Sequence, residues 1–227
     1  MISRISPRQL ALSLGHVESF ARDDFLAGPS NADALAMIDR WPDWPDRSLA
    51  LIGPEGSGKS HLASIWAEQA GARFIAARVL DVAGLPNALA TGALVVEDLV
   101  AGAFDERALF HLFNLVREED GYLLLTSRQE PTVFSVGIPD LRSRLRALPC
   151  VTLASPDDSL FRAVLVKLFS DRQIRVDESL VSYLSTRLER SFAAARAAVT
   201  ELDHAALQLK RPLNRALATE LFKPREP

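Results

Sequence analysis

The sequence predicts an α/β domain built on a five-stranded parallel sheet with flanking helices, followed by a small all-helical subdomain. Three observations carry this reading. Five short apolar runs recur between residues 48 and 154, and runs that are apolar on both faces read as strands covered on both sides. Helix-like segments, notably 59–70 and 106–118, lie between them. Beyond Ser155 every apolar pattern has helical spacing.

Taken in order, "PSNADALAMIDRW" places Ala34, Leu35, Ile38 and Trp41 at the spacing of a short helix, with Ser30 or Asn31 available as its cap, and "PDWPDR" breaks it. The strands are "SLALIG" (48–53), "ARFIAA" (72–77), "ALVVED" (93–98), "YLLLTS" (122–127) and "PCVTLA" (149–154). In the tail, Leu160, Phe161, Val164, Leu165, Leu168 and Phe169 mark one helix, and Leu180, Val181, Leu184 and Leu188 a second. Phe192, Val199, Leu202 and Ala206 mark a third, and "LNRALATELF" a fourth. The boundary falls near "ASPDD", so the expected divisions are a leader at 1–18, an α/β domain at 19–154 and a helical subdomain at 155–227.

At 227 residues and 48% hydrophobic, the chain has enough apolar material for a substantial core. A formal charge of -3 gives no overall attraction to nucleic-acid phosphates or an anionic membrane. Cys150 is the only cysteine, which excludes an intramolecular disulfide and leaves no Cys/His zinc pattern. No apolar run approaches the ~18 residues of a membrane span, and no signal-peptide core follows the first residues, so the expectation is a soluble, cytoplasmic protein. The leader carries "RQLALSL", in which Leu10, Leu12 and Leu14 alternate with small residues behind Gln9. On pattern alone this is either a strand of the protein's own sheet or a segment that binds elsewhere.

"GPEGSGKSH" follows the first strand and opens a helix, in the pattern of a phosphate loop. Gly53, Pro54, Gly56, Ser57, Gly58, Lys59, Ser60 and His61 are the candidate nucleotide-binding residues. The glycines let successive N–H groups converge on one anion, Lys59 reaches the terminal phosphates, and Ser60 holds Mg²⁺. At the end of the third strand stand Glu97 and Asp98, expected to place the Glu97 carboxylate near Mg²⁺ and the next near the attacking water. Taken alone, such a pair is more often a helix cap or a solvated turn; the phosphate loop some forty residues upstream reverses that. Thr126 and Ser127 end the fourth strand with hydroxyls where a γ-phosphate would be sensed.

Together, "FLAGPSN" (25–31), "GPEGSGKSHL" (53–62), "VVED" (95–98), "LLLTSRQEP" (123–131) and "LRSRL" (141–145) resemble the DnaA-related AAA+ family, and within it the short Hda/HdaA regulators that inactivate the initiator DnaA. The resemblance implies an adenine nucleotide, ADP or ATP, with Mg²⁺, and a helical lid. It implies that Phe25 and Asn31 belong to the segment over the adenine. It assigns Arg144 as an arginine finger acting in trans, whereas "LRSRLR" in isolation reads as a basic surface loop. Arg142 and Arg146 are then solvated or partner-facing. The implied partners are DnaA and the sliding clamp of the replicase, the clamp being bound through Gln9, Leu10, Leu12 and Leu14. Self-association is a further expectation, and direct sequence-specific DNA binding is not, since the chain is expected to stop after the lid. The pattern departs from the family at Ala193, where a lid arginine is usual, with Arg190 and Arg196 one turn to either side. It departs again in the pair Glu97–Asp98, where the initiator has two aspartates. Slow or absent turnover by the isolated protein is therefore expected. The alternative is a self-sufficient AAA+ ATPase or helicase-loader-like protein.

Overall fold

The structure, a computed structural model, describes residues 21–222; Gln9, Leu10, Leu12 and Leu14 lie outside the described residues. The apolar runs become β1 (Ser48–Ile52), β2 (Arg73–Ala76), β3 (Ala93–Leu99), β4 (Tyr122–Ser127) and β5 (Cys150–Thr152). They form one parallel sheet in the order β2-β3-β4-β1-β5. β1 lies between β4 and the edge strand β5, with Ala50 opposite Leu125 on one side and Cys150 on the other. Parallel neighbours require crossovers, and helices supply them.

Before the sheet comes α1 (Ala32–Asp39), and α2 (Lys59–Ala70), α3 (Leu85–Ala88), α4 (Glu106–Glu118) and α5 (Pro139–Ala147) connect its strands. Successive strand residues face opposite layers. Leu49, Leu51 and Leu124 pack with Ile38, Leu62, Ile65 and Trp66 of α1 and α2. Ala50, Ile52, Leu123 and Leu125 pack with Leu109, Leu112, Leu141 and Leu145 of α4 and α5. The inner strands β1, β3 and β4 are thus buried on both faces, which is why they show no polar alternation, while the edge strands β2 and β5 are more exposed.

The tail forms α6 (Asp158–Asp171), α7 (Glu178–Arg187), α8 (Phe192–Leu209) and α9 (Arg215–Leu221). Each starts where a side chain satisfies an otherwise unpaired first-turn N–H: Asp157 accepts from Leu160, Asp177 from Leu180, Ser191 from Ala194 and Asn214 from Leu217. Phe161, Phe169, Leu184 and Leu202 bind these four helices into a hydrophobic cluster of their own. α1 differs. Asn31 holds its N-cap position without capping it; its Oδ1 accepts from Gly28 N–H at 2.8 Å and its Nδ2 donates to Leu26 O at 3.0 Å. The side chain pins the preceding turn instead. Among the described residues no helix is long and apolar enough to cross a membrane.

α5 replaces the basic loop that "LRSRLR" suggests in isolation. Leu141 and Leu145, one turn apart, are buried against α4, and Pro139 suits the first helical turn. Its N-terminus is held from another helix: Glu106 Oε2 accepts from Gly137 N–H at 2.8 Å and Ile138 N–H at 3.2 Å. We expect Glu106→Ala to cost about 1 kcal/mol, read as a fall of ~2–4 °C in thermal midpoint. An unchanged midpoint would show that α5 does not need this cap.

Candidate functional site

The C-terminal ends of β1, β3 and β4 meet the helical subdomain around a cleft of about 610 Å³. Its floor is the loop between β1 and α2. Gly53 N–H donates to Ser127 O at 3.1 Å, tying the start of the loop to β4. Gly56 turns at φ +71°, and a Cβ there would lie 2.9 Å from Ser191 Cβ. The Gly56 carbonyl accepts from Phe192 N–H at 2.9 Å, so the first residue of α8 rests on the loop. α2 then opens at Lys59 with no side-chain cap, leaving its first N–H groups for an anion. Ser57 is buried, and its Oγ makes no hydrogen bond within the described residues. Pro54 and Ser60 are exposed, with Ser60 on the cleft wall.

Two charged neighbourhoods divide the cleft. Around Lys59 stand Asp98, Arg128 and Glu55. Lys59 Nζ donates to Gly53 O and Pro54 O, both at 2.8 Å. Burial pushes its ammonium below the usual lysine range, with Asp98 opposing and Arg128 adding to the effect. Around His61 stand Arg196, Asp24 and Lys167. The His61 ring meets Phe25 edge-on at 5.2 Å, and its Nε2 lies 3.2 Å from Ala21 O. Burial lowers its pKa, against the hydrogen bond to Ala21. Phe25, Leu26, Val164, Leu168 and Phe192 add apolar wall. Lys167 spans the mouth, 2.7 Å from Asp24 and 3.1 Å from Asp171. Asn31, 1% exposed, is not on the wall.

At the end of β3 the register slips between Val96 and Leu99. Asp98 takes φ +56°, and its N–H donates to Thr126 Oγ1 at 3.0 Å. The irregularity turns Asp98 into the cleft and leaves Glu97, half-buried opposite Ala76, off its wall. Thr126 thus shapes the backbone at Asp98. Ser127 is turned into the sheet, its Oγ 2.8 Å from Leu99 O and 2.7 Å from Gln129 O. Its successor Arg128 lines the cleft, 2.6 Å from Glu55. Sequence reasoning passed over both Arg128 and Glu55. The signal was available, because strand alternation sends neighbouring side chains to opposite sides.

Two arginines separate for a similar local reason. The expectation put Arg190 and Arg196 on one helical face about Ala193, but α8 begins only at Phe192. Arg190 therefore lies before the helix and meets Asp158 at 3.4 Å, while Ala193 and Arg196 line the cleft. Arg144 is elsewhere. Its Nη2 donates to Asn114 Oδ1 at 2.6 Å, and its guanidinium sits over Phe110 at 5.3 Å. It lines a second cleft, of about 650 Å³, with Ser48, Asp120 and Pro149 at the starts of β1, β4 and β5. Arg142 donates to Val136 O, and Arg146 is exposed.

No protein-family model matches the chain. It is 31% identical over 219 residues to an uncharacterized protein of Haemophilus influenzae, covering 91% of this chain and 94% of that one. It is 26% identical over 246 residues to the chromosomal replication initiator protein DnaA of Symbiobacterium thermophilum, covering 95% of this chain and 53% of that protein. The chain therefore spans about half the length of that initiator. Domain III of the Thermotoga maritima DnaA superposes with a TM-score of 0.74 at 19% identity, over 90% of this chain and 98% of that one. A replication initiator DnaA bound to AMPPCP and single-stranded DNA gives 0.65 at 15% identity, over 84% and 68%. The architecture is the AAA+ P-loop NTPase-like fold.

Folding depresses the His61 pKa below 6.5, so near that pH the unfolded chain binds the proton more readily than the folded one. Stability contributed this way is present above ~6.5 and is lost as pH falls through the folded value. We expect the thermal midpoint to drop from about pH 7 to about pH 5.5, with a shallower slope in His61→Gln. Parallel slopes would exclude His61 as a source.

Proposed function

We propose, for a chain that belongs to the same family as the uncharacterized Haemophilus influenzae protein, the role of an adenine-nucleotide-binding AAA+ regulator of replication initiation. In this reading it binds ADP or ATP with Mg²⁺, attaches to the DNA-loaded sliding clamp, and promotes hydrolysis of ATP held by DnaA. It acts in the cytoplasm, without reading DNA sequence directly. Its working units are the leader at 1–18, the nucleotide-binding domain at 19–154 and the lid at 155–227.

The observation that carries the reading is the separation of Arg144 from the chain's own cleft. Lys59 and Ser60 line one cleft, whereas Arg144 is oriented by Asn114 and Phe110 in another. A guanidinium placed so supports action on phosphate held by a different chain, where a fixed positive fork stabilises charge on the transferred group.

The first cleft fits a nucleotide on its own chemistry. The orphaned Ser57 Oγ, the uncapped first turn of α2 and Lys59 suit phosphates, and Phe25, Leu26, Val164 and Phe192 suit a base. Ser60 and Asp98 line it and would hold Mg²⁺, with Glu97 behind them. Among the described residues no three His, Cys, Asp or Glu side chains gather to hold a metal by themselves, and a magnesium ion needs only one or two protein oxygens beside phosphates. Bound there, it would neutralise charge on the terminal phosphates. Of the pair Glu97–Asp98 only Asp98 stands on the wall, so one carboxylate of that pair serves both magnesium and water. Slow turnover follows.

The clamp contact rests on the leader motif. Burying three leucines would gain roughly 5–9 kcal/mol, less several for ordering the segment. Single-site attachment is then weak, and self-association would strengthen it through effective concentration. The presence of Asp98 in the cleft beside Lys59 favours a second reading, a self-sufficient ATPase or helicase-loader-like protein.

Reconstituting DnaA, ATP, DNA-loaded clamp and this protein separates the two. All components are expected to be required, and hydrolysis by this chain alone at the same rate would favour the second reading. Arg144→Ala is expected to keep nucleotide and clamp binding while lowering stimulated hydrolysis by ~1,000-fold; surviving stimulation would remove Arg144 from the role. The Gln9→Ala, Leu10→Ala double variant is expected to lose clamp capture and still bind nucleotide, and retained capture would show that the leader is not the clamp contact.

A further inference from the structure

Two cations and two carboxylates meet at the phosphate loop. Lys59, Arg128, Asp98 and Glu55 all line the cleft, and the other three act electrostatically on Lys59. Glu55 belongs to the loop itself, and an acid there repels any polyanion the loop gathers. Arg128 comes from the turn after β4 and meets Glu55 at 2.6 Å. Both side chains are largely exposed, at 58% and 73%, so water screens their attraction and the pair is weak. The backbone beneath Arg128 is anchored, because Ser127 Oγ is tied to Leu99 and Gln129 within the sheet.

We infer that Arg128 and Glu55 form an exchangeable ion pair that reads the terminal phosphate of a nucleoside triphosphate. Arg128 stays with Glu55 when a diphosphate is bound and transfers to the terminal phosphate when a triphosphate is bound. The guanidinium fork suits carboxylate and phosphate alike. A phosphate of higher charge, beside Lys59 in a more enclosed site, outcompetes an exposed carboxylate. Lys59 already serves the carbonyls of Gly53 and Pro54, which leaves a place for a second positive group. Glu55 then acts as a competitor: it holds Arg128 back and lowers the preference for triphosphate. The two partners of one ion pair therefore have opposite effects, which a merely structural bridge would not give.

The inference rests on the nucleotide binding proposed above. Its test measures affinities for ADP and for the non-hydrolysable triphosphate AMPPCP, both with Mg²⁺, by calorimetry on the full chain. Arg128→Ala is expected to weaken AMPPCP by ~10-fold or more while leaving ADP nearly unchanged. Glu55→Gln is expected to raise the AMPPCP preference by about 2–5-fold. The double variant should lie close to Arg128→Ala in that preference, because Glu55 acts chiefly through Arg128 and its direct repulsion of phosphate is screened by its exposure. Equal weakening of both nucleotides by Arg128→Ala, or an unchanged or lowered preference in Glu55→Gln, would overturn the exchange while nucleotide binding stands. A wild-type chain that binds neither nucleotide would overturn both.

Discussion

The structure depends on how closely the chain passes itself at Gly53. A Cβ there would lie 2.3 Å from Leu153 O and 2.7 Å from Ser57 Oγ, so no other residue fits without moving backbone. The Gly53 N–H reaches Ser127 O, and its carbonyl receives the Lys59 ammonium. One residue thus joins the end of β1, the end of β4, the approach to the helical subdomain and the phosphate loop. β1, an inner strand, delivers the loop, and the sheet's parallel register fixes what stands beside it.

From that junction the cleft gains its second wall. The helical subdomain has its own hydrophobic cluster, distinct from the two on the faces of the sheet. Across the cleft the structure places directional contacts, Phe192 N–H on Gly56 O and Lys167 on Asp24, beside apolar ones, the Phe192 ring at Gly58 and Leu160 at Gly28. A side chain added at Gly56 would collide with Ser191 at the start of α8. The loop and the subdomain are therefore coupled through backbone geometry. Cohesion inside the subdomain comes from packing, while its position over the cleft comes from a few contacts, of which the polar ones are individually modest. Elements joined this way open at lower cost than they unfold.

The strands were legible because burial on both faces writes itself as unbroken apolar runs. The tail helices were legible because both their apolar spacing and their caps, such as Asp157 and Asp177, stand in the sequence. α5 was not, since two leucines among arginines decide its burial and the cap at its N-terminus comes from Glu106 far upstream. Within the site, the phosphate loop could be read because its spacing encodes its backbone. The orientation of single side chains could not. Whether Glu97 or Asp98 enters the cleft is settled by an irregularity stabilised by Thr126. Whether Ser127 or Arg128 enters is settled by alternation, and the hydroxyl drew attention away from the longer side chain.

The same alternation and polarity bear on Arg144. A parallel sheet gathers all its C-terminal strand ends on one edge, and the phosphate loop lies there. α5 runs back from that edge, and Arg144 lines a cleft that includes Ser48, Asp120 and Pro149, where β1, β4 and β5 begin. Leu141 and Leu145, buried at the sheet, keep α5 from sliding. Bringing Arg144 to Lys59 of the same chain would require unpacking that helix. If Arg144 acts on a phosphate, that phosphate belongs to another molecule, whereas Arg128, paired with Glu55, is the cleft arginine beside the phosphate loop.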